Sequence, residues 1–509
     1  MSYLELLKLA SPEIVIVITA LVVLAIGLVT GHAKSSATIS TAKPAHTVSH
    51  TSTTTGICSV VAALGLAIAI GAILVLPQST TLFGGMLVIT PLTRLFKIIC
   101  IALAFFTVLL ITSQKPPRHL GEYLALVLFA TVGLMLLVGS EELLMIFIGL
   151  ELLGLSLYVM TAFDKTDVRS AEAGLKYLLF GSTSSAFTLF GISLIYGMSG
   201  TTGLAAISEK LATASVQPLL AVGIVMTLVG FAFKIAAAPF HLWAPDAYQG
   251  APVPSAAFIA SGSKVASFVV LGKIVLVGFA PMHGSADWHA MTAGWSPVLA
   301  ALAALSILIG NMVALAQSNV RRLLAYSAVA HGGYTLIGLV AGGRDGFSAA
   351  LFYTTTYAIT LVGAFGVVGL VRRETDGDDL SNFSGLWSRS PLMAGCMAIF
   401  MLSLAGIPPL AGFFGKFYLF SVALRASPNH GLLWLVALAL LGSFISLYYY
   451  LMVLKFVFVD KRAEASVDRS SLFSHHGLAK VTISLLAAAV LLLGVMPDIL
   501  AGQILAAVP

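Results

Sequence analysis

Five ionisable side chains stand inside long apolar stretches of this sequence. They are Glu151 in LLMIFIGLELLGLSLYVMTAF, Lys234 in GFAFKIAAAPFHLW, Lys264 in AAFIASGSKVASFVVLG, His331 in AVAHGGY and Lys416 in FFGKFYLF. At the centre of a bilayer, a charged side chain costs about 2.5–3.5 kcal/mol or more unless it is paired or hydrated. All five can bind and release a proton, and an imidazole does so near physiological pH. They therefore predict a row of proton-carrying groups at membrane depth.

Glu151 and Lys234 are candidates for a switch within this row. If they form an ion pair, its separation would drive the proton of Lys234 toward Lys264, and then toward His331 and Lys416. The alternative is a static buried pair that only fixes helix packing. His331 could likewise be a satisfied core histidine.

Other polar residues leave alternatives open. Lys176 follows Glu172 by four residues, so the two could pair on one helix face or Lys176 could take part in proton transfer. Lys273, nine residues beyond Lys264, is expected to snorkel to the outer surface. His241 and Asp246 could form a proton entrance or an interfacial anchor. The remaining acidic clusters are interpreted as solvated loop charge: Glu141 and Glu142, and Asp376, Asp378 and Asp379.

Composition places these residues in a membrane. Apolar residues make up 59% of the 509 residues and charged residues 9%, which excludes a water-soluble fold. The cysteines Cys58, Cys100 and Cys396 stand singly, so no iron–sulfur cluster or zinc site is indicated. Scattered Lys and Arg form no nucleic-acid-binding patch. Acidic Glu5 and Glu13 around Lys8 argue against a cleaved signal peptide, so we predict that the first span begins there.

Segments of about 20 apolar residues predict an all-α polytopic membrane protein with about fourteen transmembrane helices. Their approximate cores are 12–30, 57–77, 95–113, 122–140, 143–163, 172–197, 218–244, 253–279, 297–317, 323–342, 347–371, 393–423, 432–456 and 478–500. The Ser/Thr/His-rich stretch 34–56 is interpreted as a flexible surface loop.

The distribution of Lys and Arg predicts the orientation. Loops after odd-numbered helices carry most of them: Lys34, Lys43, Lys115, Arg118, Lys165, Arg169, Arg321, Arg322, Arg372, Arg373, Arg389, Lys461, Arg462 and Arg469. Loops after even-numbered helices carry chiefly Arg94, Lys97, Lys210, Arg344 and Arg425. Because cytoplasmic loops are enriched in Lys and Arg, both termini are predicted on the outer side of the membrane.

Two spans are predicted to be broken by proline. Pro239 interrupts the seventh helix, and Pro408 and Pro409 interrupt the twelfth. These helices are five spans apart, and because five is an odd number, equivalent helices would cross the membrane in opposite directions. We therefore predict that helices 9–13 repeat helices 4–8 in inverted orientation, as in transporters. The predicted units are a three-helix segment at 1–121, repeats at 122–280 and 296–457, and a C-terminal helix at 458–509.

Several motifs resemble one family. The chain resembles the antiporter-like subunits of proton-pumping NADH:quinone oxidoreductase, respiratory complex I, and their relatives among cation/proton antiporters. The motifs that carry this resemblance are FKIAAAPFHLWAPDAYQGAPVPSAAFIASGSK, GLELLGLSLY, NVRRLLAYSAVAHGGY and SLAGIPPLAGFFGKFYLF. The PFHLWAPDAYQGAP motif and the lysine at position 416 favour the subunit N branch of this family. The resemblance covers nearly the whole chain, from about the second helix to the end.

The resemblance implies a role for each matching residue. Glu151 and Lys234 would form the coupling pair, Lys264 the central relay, and Lys416 the terminal proton donor toward the outer side. His331 would bridge the two half-channels, while Lys176 would tune the pair. The family fold has fourteen helices with two inverted five-helix units.

The resemblance also implies the setting of the chain. No cofactor is expected in it, because NADH, flavin, iron–sulfur clusters and quinone would bind to partner subunits. The expected neighbours are antiporter-like subunit M on one side and small subunits such as K and J on the other, within a bacterial inner membrane.

Three other functions remain open on the sequence alone. One is a membrane subunit of a multi-subunit Na⁺/H⁺ antiporter or of a photosynthetic dehydrogenase complex, which would share the fold. A non-conducting structural subunit is the second, but it has no reason to keep charges in hydrocarbon. The third, a solute transporter, would need a more varied set of polar groups at the helix breaks.

Overall fold

The computed structural model describes residues 3–37, 48–111, 119–212, 217–427, 429–461 and 477–509. Regular structure in these ranges is helical apart from one antiparallel hairpin. The N-terminal part contains α1 (Tyr3–Leu9), α2 (Ser11–Ala37), α3 (Val48–Val75), β1 (Thr80–Leu82), β2 (Leu87–Ile89) and α4 (Pro91–Ile111). In the hairpin, Thr80 pairs with Ile89 and Leu82 with Leu87.

Two series of helices follow. The first contains α5 (Leu120–Gly139), α6 (Leu143–Thr161), α7 (Val168–Ser199), α8 (Leu204–Ala212), α9 (Pro218–Lys234), α10 (Trp243–Gly250), α11 (Val253–Ala260) and α12 (Gly262–Lys273), which continues as a π-helical turn over Ile274–Gly278. The second contains α13 (Trp295–Ala314), α14 (Val320–Ala341), α15 (Gly343–Thr375), α16 (Leu386–Arg389), α17 (Pro391–Ala405), α18 (Ala411–Arg425) and α19 (Leu433–Phe458). The chain closes with α20 (Gly477–Val495) and α21 (Asp498–Ala507).

The prediction of fourteen spans is confirmed. In the described ranges, twelve helical segments are long and apolar enough to cross a membrane, with α11 and α12 together forming one of them. The two remaining predicted spans are each divided into two shorter helices. The gap between α9 and α10 contains Pro239, and the gap between α17 and α18 contains Pro408 and Pro409. Inversion of the repeats and the limits of the units stay predictions.

Side-chain caps set the starts of three spanning helices. Glu142, Asp167 and Asn319 precede α6, α7 and α14, and each accepts hydrogen bonds from backbone N–H groups of the first turn. Such caps matter here because the first turn of a helix has no intrahelical acceptors for its N–H groups.

Helix α15 forms the centre of the molecule. In its most apolar stretch, 94% of the residues are buried inside the protein, compared with 33% in that of α7. It packs against α14, α17, α18 and α20. In the N-terminal part, α2 packs on α3 and α5. A Cβ atom on Gly121 would lie 2.6 Å from the Cα of Gly27, so the absence of side chains lets the backbones of α2 and α5 touch.

Some local predictions were wrong. The stretch 34–56 was expected to be a loop, but residues 34–37 continue α2 and residues 48–56 belong to α3; the part between them lies outside the described residues. The β1–β2 hairpin was not expected either. It follows α3, and the side chains of Leu82, Leu87 and Ile89 are buried in a small apolar cluster with Leu76.

The interpretation of the acidic clusters as solvated charge was also wrong in part. Glu142 is buried as the cap of α6. Asp378 is buried too, because it accepts hydrogen bonds from Arg321, Arg372 and Asn319. This ion-paired cluster ties the segment after α15 to the start of α14.

Candidate proton-transfer site

Glu151 and Lys234 face a common cavity between α6, α7 and α9. The cavity has a volume of about 20 Å³, and its wall also includes Ser184, Ser185 and Thr188. A cavity of this size holds roughly one water molecule. The hydroxyl of Ser185 donates a short hydrogen bond to Glu151. The structure therefore brings the two predicted partners to one small polar space.

The two residues do not form a direct ion pair in this structure. Across the described ranges, no salt bridge within 4.0 Å joins Glu151 to a basic side chain, and no hydrogen bond is formed by the Nζ atom of Lys234. Lys234 is nevertheless only 5% exposed. Contact between the two groups would need a side-chain movement or a water molecule in the cavity.

The gap after Lys234 leaves backbone groups without their helical partners. The indole of Trp243 donates to the carbonyl of Phe233 at 3.0 Å, and the backbone N–H of Ala238 donates to the hydroxyl of Ser306 at 2.8 Å. Pro239 follows directly. These bonds explain how a broken helix persists at membrane depth, where free backbone groups are costly.

Lys264 lies at the third position of α12, after a kink at Ser261. Its Nζ atom donates to the carbonyl of Ala328 on α14 at 2.6 Å and lies 5.7 Å from the centre of the Tyr357 ring. The residue is 2% exposed. No carboxylate pairs with it among the residues that the structure describes, so only neutral groups support its charge.

His331 on α14 is held between two tyrosine hydroxyls. The hydroxyl oxygen of Tyr353 lies 2.6 Å from Nδ1, and that of Tyr450 lies 2.9 Å from Nε2. Each ring nitrogen therefore has a partner that can both donate and accept a hydrogen bond. One ring nitrogen can therefore accept a proton while the other nitrogen releases its own.

Two more tyrosines connect His331 to the lysines. The ring of Tyr357 stacks on His331 at 4.7 Å and also faces Lys264. The ring of Tyr334 meets His331 edge-on at 5.6 Å, and the Nζ atom of Lys416 lies 5.3 Å from its centre. The structure thus places His331 between Lys264 and Lys416.

Lys416 on α18 binds the second helix break. Its Nζ atom donates to the carbonyls of Leu404 and Ala405, at 3.1 and 3.0 Å, and to the hydroxyl of Ser443 at 2.8 Å. Both carbonyls belong to the last turn of α17, which ends before Pro408 and Pro409. A cation is favoured there because unpaired carbonyls give a helix C-terminus partial negative charge.

Lys176 lies apart from the predicted coupling pair. It binds Glu172 at 2.6 Å, as the four-residue spacing suggested, and Asp246 of α10 at 2.8 Å. Arg322 of α14 binds the other oxygen of Asp246 at 2.7 Å. Asp246 therefore joins both helix series. His241, which precedes Asp246 in the sequence, has a buried ring. Its Nδ1 atom has no hydrogen-bond partner among the described residues.

Lys273 does not snorkel, and that prediction is corrected. It is 4% exposed, because its Nζ atom donates to the carbonyl of Val138 at 3.0 Å and lies 3.4 Å from a carboxylate oxygen of Glu141. A second buried pair, Lys97 with Glu13 at 2.6 Å, lies in the N-terminal part. Sequence reasoning missed both pairs, although Lys97 stands only seven residues into a spanning helix.

A polar cavity of about 240 Å³ opens beside the start of α11. Asp164, Asp167, Arg372 and Asp376 line it, and Tyr123 forms part of its wall. The hydroxyl of Tyr123 lies 2.5 Å from that of Ser255 on α11, in the same span as Lys264. This cavity is large enough for several water molecules.

Comparison with known proteins identifies the family. Residues 140–446 match the family described as NADH:quinone oxidoreductase/Mrp antiporter, transmembrane. NADH-quinone oxidoreductase subunit N 2 of Acidobacterium capsulatum is 49% identical over 441 residues, which cover 84% of this chain and 87% of that protein.

Solved structures agree with this assignment. A chain of respiratory complex I from Thermus thermophilus with bound aureothin has a TM-score of 0.71 at 30% identity, with 94% of this chain and 98% of that chain covered. A chain of the Mrp complex from Dietzia sp. has a TM-score of 0.75 at 21% identity, with 100% and 98% covered, which shows a shared fold. This chain belongs to the antiporter-like membrane subunits of NADH:quinone oxidoreductase, in the subunit N family.

Proposed function

We propose that this chain moves protons across the membrane as a non-redox subunit of NADH:quinone oxidoreductase, driven by quinone reduction elsewhere in the complex. One observation carries the proposal. Lys264, His331 and Lys416 lie in one buried row, bound by carbonyls and hydroxyls and connected by tyrosine rings. Neutral partners favour proton transfer, because a lysine that loses its proton leaves no buried carboxylate unpaired.

The proton enters this row from Lys234. When the Glu151 carboxylate approaches Lys234, it holds the ammonium form; when the two separate, the proton leaves for Lys264. The small cavity between them has room for this movement and for a bridging water molecule. Lys176 tunes the pair only indirectly, through Asp246 and the position of α10.

The second half of the path runs through His331. A proton from Lys264 arrives at one ring nitrogen, the opposite nitrogen releases its own, and Lys416 receives it. The hydroxyls of Tyr353 and Tyr450 support both forms of the ring, since each can donate or accept. Lys416 then gives the proton to the outer side.

Water reaches the path through the polar cavity beside α11. Its charged residues lie in loops or at helix ends on the side where the odd-numbered predicted spans end, which the charge distribution assigns to the cytoplasm. The hydroxyls of Tyr123 and Ser255 begin a polar route from this cavity along the span that carries Lys264.

The setting of the chain is also part of the proposal. As a translocase subunit, the chain would bind no cofactor; NADH, flavin, iron–sulfur clusters and quinone would belong to partner subunits. We place it in a bacterial inner membrane, with both termini outside, between antiporter-like subunit M and small subunits such as K and J.

Substitution of the switch pair tests the proposal. In membranes with an assembled complex, Glu151→Gln and Lys234→Met are each expected to lower NADH-driven proton pumping and coupled quinone reduction by at least about tenfold, as expected when a group required for proton transfer is lost. The measurements are the pumping rate and NADH:quinone turnover, together with the amount of assembled complex.

Lys455→Met is the matched control, because its side chain is 55% exposed at the end of α19. It should leave both rates unchanged. If the switch variants also pump and turn over at normal rates, these residues act as scaffold and the proposal fails.

A further inference from the structure

A lateral groove lies between α2, α5, α6 and α7, outside the proton-transfer row. Its volume is about 690 Å³, within the range of small-molecule sites. Apolar side chains such as Leu24, Phe129, Leu155 and Leu178 form most of its walls. The groove is open toward the lipid, because Leu155 and Leu178 are both exposed.

Charged side chains occur at only one end of the groove, and Tyr158 is a further polar residue of its lining. His119 and Glu122 stand at the start of α5, and Lys165 follows the end of α6. From there the groove runs along α5 to Phe129, nine residues beyond the first residue of that helix, and back along α6 to Leu155, six residues before its last residue. Nine helical residues span about 14 Å, which is close to half of a bilayer core about 30 Å thick. The groove therefore has the length of one leaflet.

At this end of the groove, Lys165 is the group that can bind an anion. His119 and Glu122 bind each other, with Nδ1 of the ring 3.0 Å from the carboxylate. Lys165 is exposed and forms no ion pair or hydrogen bond within the described ranges. It is thus the cation that is free to bind a phosphate, beside the exposed Asp164, at the mouth of a groove that is otherwise mostly apolar.

We propose that this groove binds a phospholipid, with the phosphate at Lys165 and one acyl chain between α5, α6 and α7. Length, polarity and charge all match this occupant. The chain would pass Tyr158, which lines both the groove and the cavity of Glu151 and Lys234. A bound lipid therefore closes the lateral side of that cavity.

Photolabelling of the assembled complex tests the site. The complex is placed in liposomes of phosphatidylethanolamine and a phosphatidylglycerol that carries a diazirine on its acyl chain, and labelled peptides are mapped. We expect adducts within residues 119–129 and 152–163, at a higher yield than on the lipid-facing side of α19, where Phe444 is 75% exposed.

Two variants examine the two ends of the lipid. Val159→Trp fills the groove, because Val159 lines it and is 51% exposed. Lys165→Glu removes the cation and should lower groove labelling about fivefold, the equivalent of about 1 kcal/mol for one lysine at a membrane surface. Val225→Trp on the exposed face of α9 and Lys461→Glu on a loop outside the groove are the matched controls.

Each outcome decides the proposal. Strong groove labelling that both variants reduce and both controls retain supports a bound phospholipid. Labelling equal to that of α19, or unaffected by Lys165→Glu, would mean ordinary annular lipid and overturn it. An unlabelled groove in the assembled complex would mean that another subunit covers it, which also overturns it. Because labelling does not depend on pumping, either result leaves the test of the proton path separate.

Discussion

At the scale of single residues, the buried lysines differ in how their charges are supported. Lys97 has a carboxylate partner, Glu13, and so forms a neutral pair. Lys264 and Lys416 are bound by carbonyls instead. An ion pair would hold the proton on the lysine, whereas a neutral environment lets it leave. This contrast separates the lysines that we propose as relays from those that stabilise packing.

The hydroxyl of Tyr353 provides a residue-scale prediction. Tyr353→Phe keeps the ring beside His331 but removes the oxygen that lies 2.6 Å from Nδ1. The Nδ1 atom of His331 then loses its hydrogen-bond partner. We therefore expect NADH-driven pumping to fall by at least about tenfold, as for loss of a positioned acid–base group. Pumping by reconstituted complex is the measurement.

Tyr449→Phe controls for the loss of a buried hydroxyl. Tyr449 donates to Asn311 and binds neither ring nitrogen of His331, although its ring packs against that of Tyr450 at 4.5 Å. Both variants should destabilise the subunit by a similar amount, about 1–3 kcal/mol for a buried polar group left without its partner. Equal pumping by the two variants would contradict the role of Tyr353.

At the scale of helices, the two breaks satisfy their free carbonyls in different ways. The carbonyls at the end of α17 accept bonds from Lys416, whose charge is part of the proposed path. The carbonyl of Phe233 near the end of α9 accepts a bond from the neutral indole of Trp243. Lys234 is thereby left free to face the cavity of Glu151.

This difference makes Trp243 a positioning residue. Its ring stacks on Tyr177 at 4.1 Å, so Trp243→Phe keeps an aromatic contact but removes one of the two hydrogen bonds that the Phe233 carbonyl accepts; the other comes from the N–H of Ala236. We expect a loss of about 0.5–1.5 kcal/mol for one hydrogen bond, seen as a lower temperature for dissociation of this subunit on native gels. Trp288→Phe changes a 70% exposed ring and should cause no shift. An equal shift for both variants would contradict the account.

The spans and their breaks could be predicted because their signals are local. A run of about 20 apolar residues or an internal proline identifies itself without knowledge of distant residues. The partners of buried charges could not be found this way. Tyr450 binds His331 from 119 positions away, and Glu13 binds Lys97 from 84 positions away. The nearest sequence signal was the four-residue spacing of Tyr353 and Tyr357, which places both rings on one helix face.

At the scale of the whole molecule, two buried ion pairs lie where the N-terminal part meets the end of α5. Lys97 of α4 binds Glu13 of α2. Its side chain also lies against Gly139 at the end of α5, where a Cβ atom would meet the Nζ atom at 3.0 Å. Lys273 of α12 binds the carbonyls of Val138 and Ser140 at the same end of α5. A buried ion pair therefore holds α2 and α4 together, and the Lys97 side chain of this pair also contacts the end of α5.

Removal of one partner of the Lys97–Glu13 pair should destabilise the N-terminal part. Lys97→Met leaves the Glu13 carboxylate buried and unpaired, which costs about 3–5 kcal/mol. The expected result is less assembled complex and a lower dissociation temperature for the subunit. The double variant Glu13→Met with Lys97→Met should restore much of the loss, because no buried charge remains. Failure of the double variant to recover would argue against the pair as the cause.

The most direct test of the central claim is the number of protons pumped per NADH oxidised by reconstituted complex that carries Lys264→Met. Lys264 is the best choice because the proposed path runs through it from Lys234 to His331 and because it has no ion pair in the described part of the chain. The account predicts that an assembled complex either pumps fewer protons per NADH or loses coupled turnover. A normal ratio at a normal rate would contradict it, because protons would then cross without this lysine.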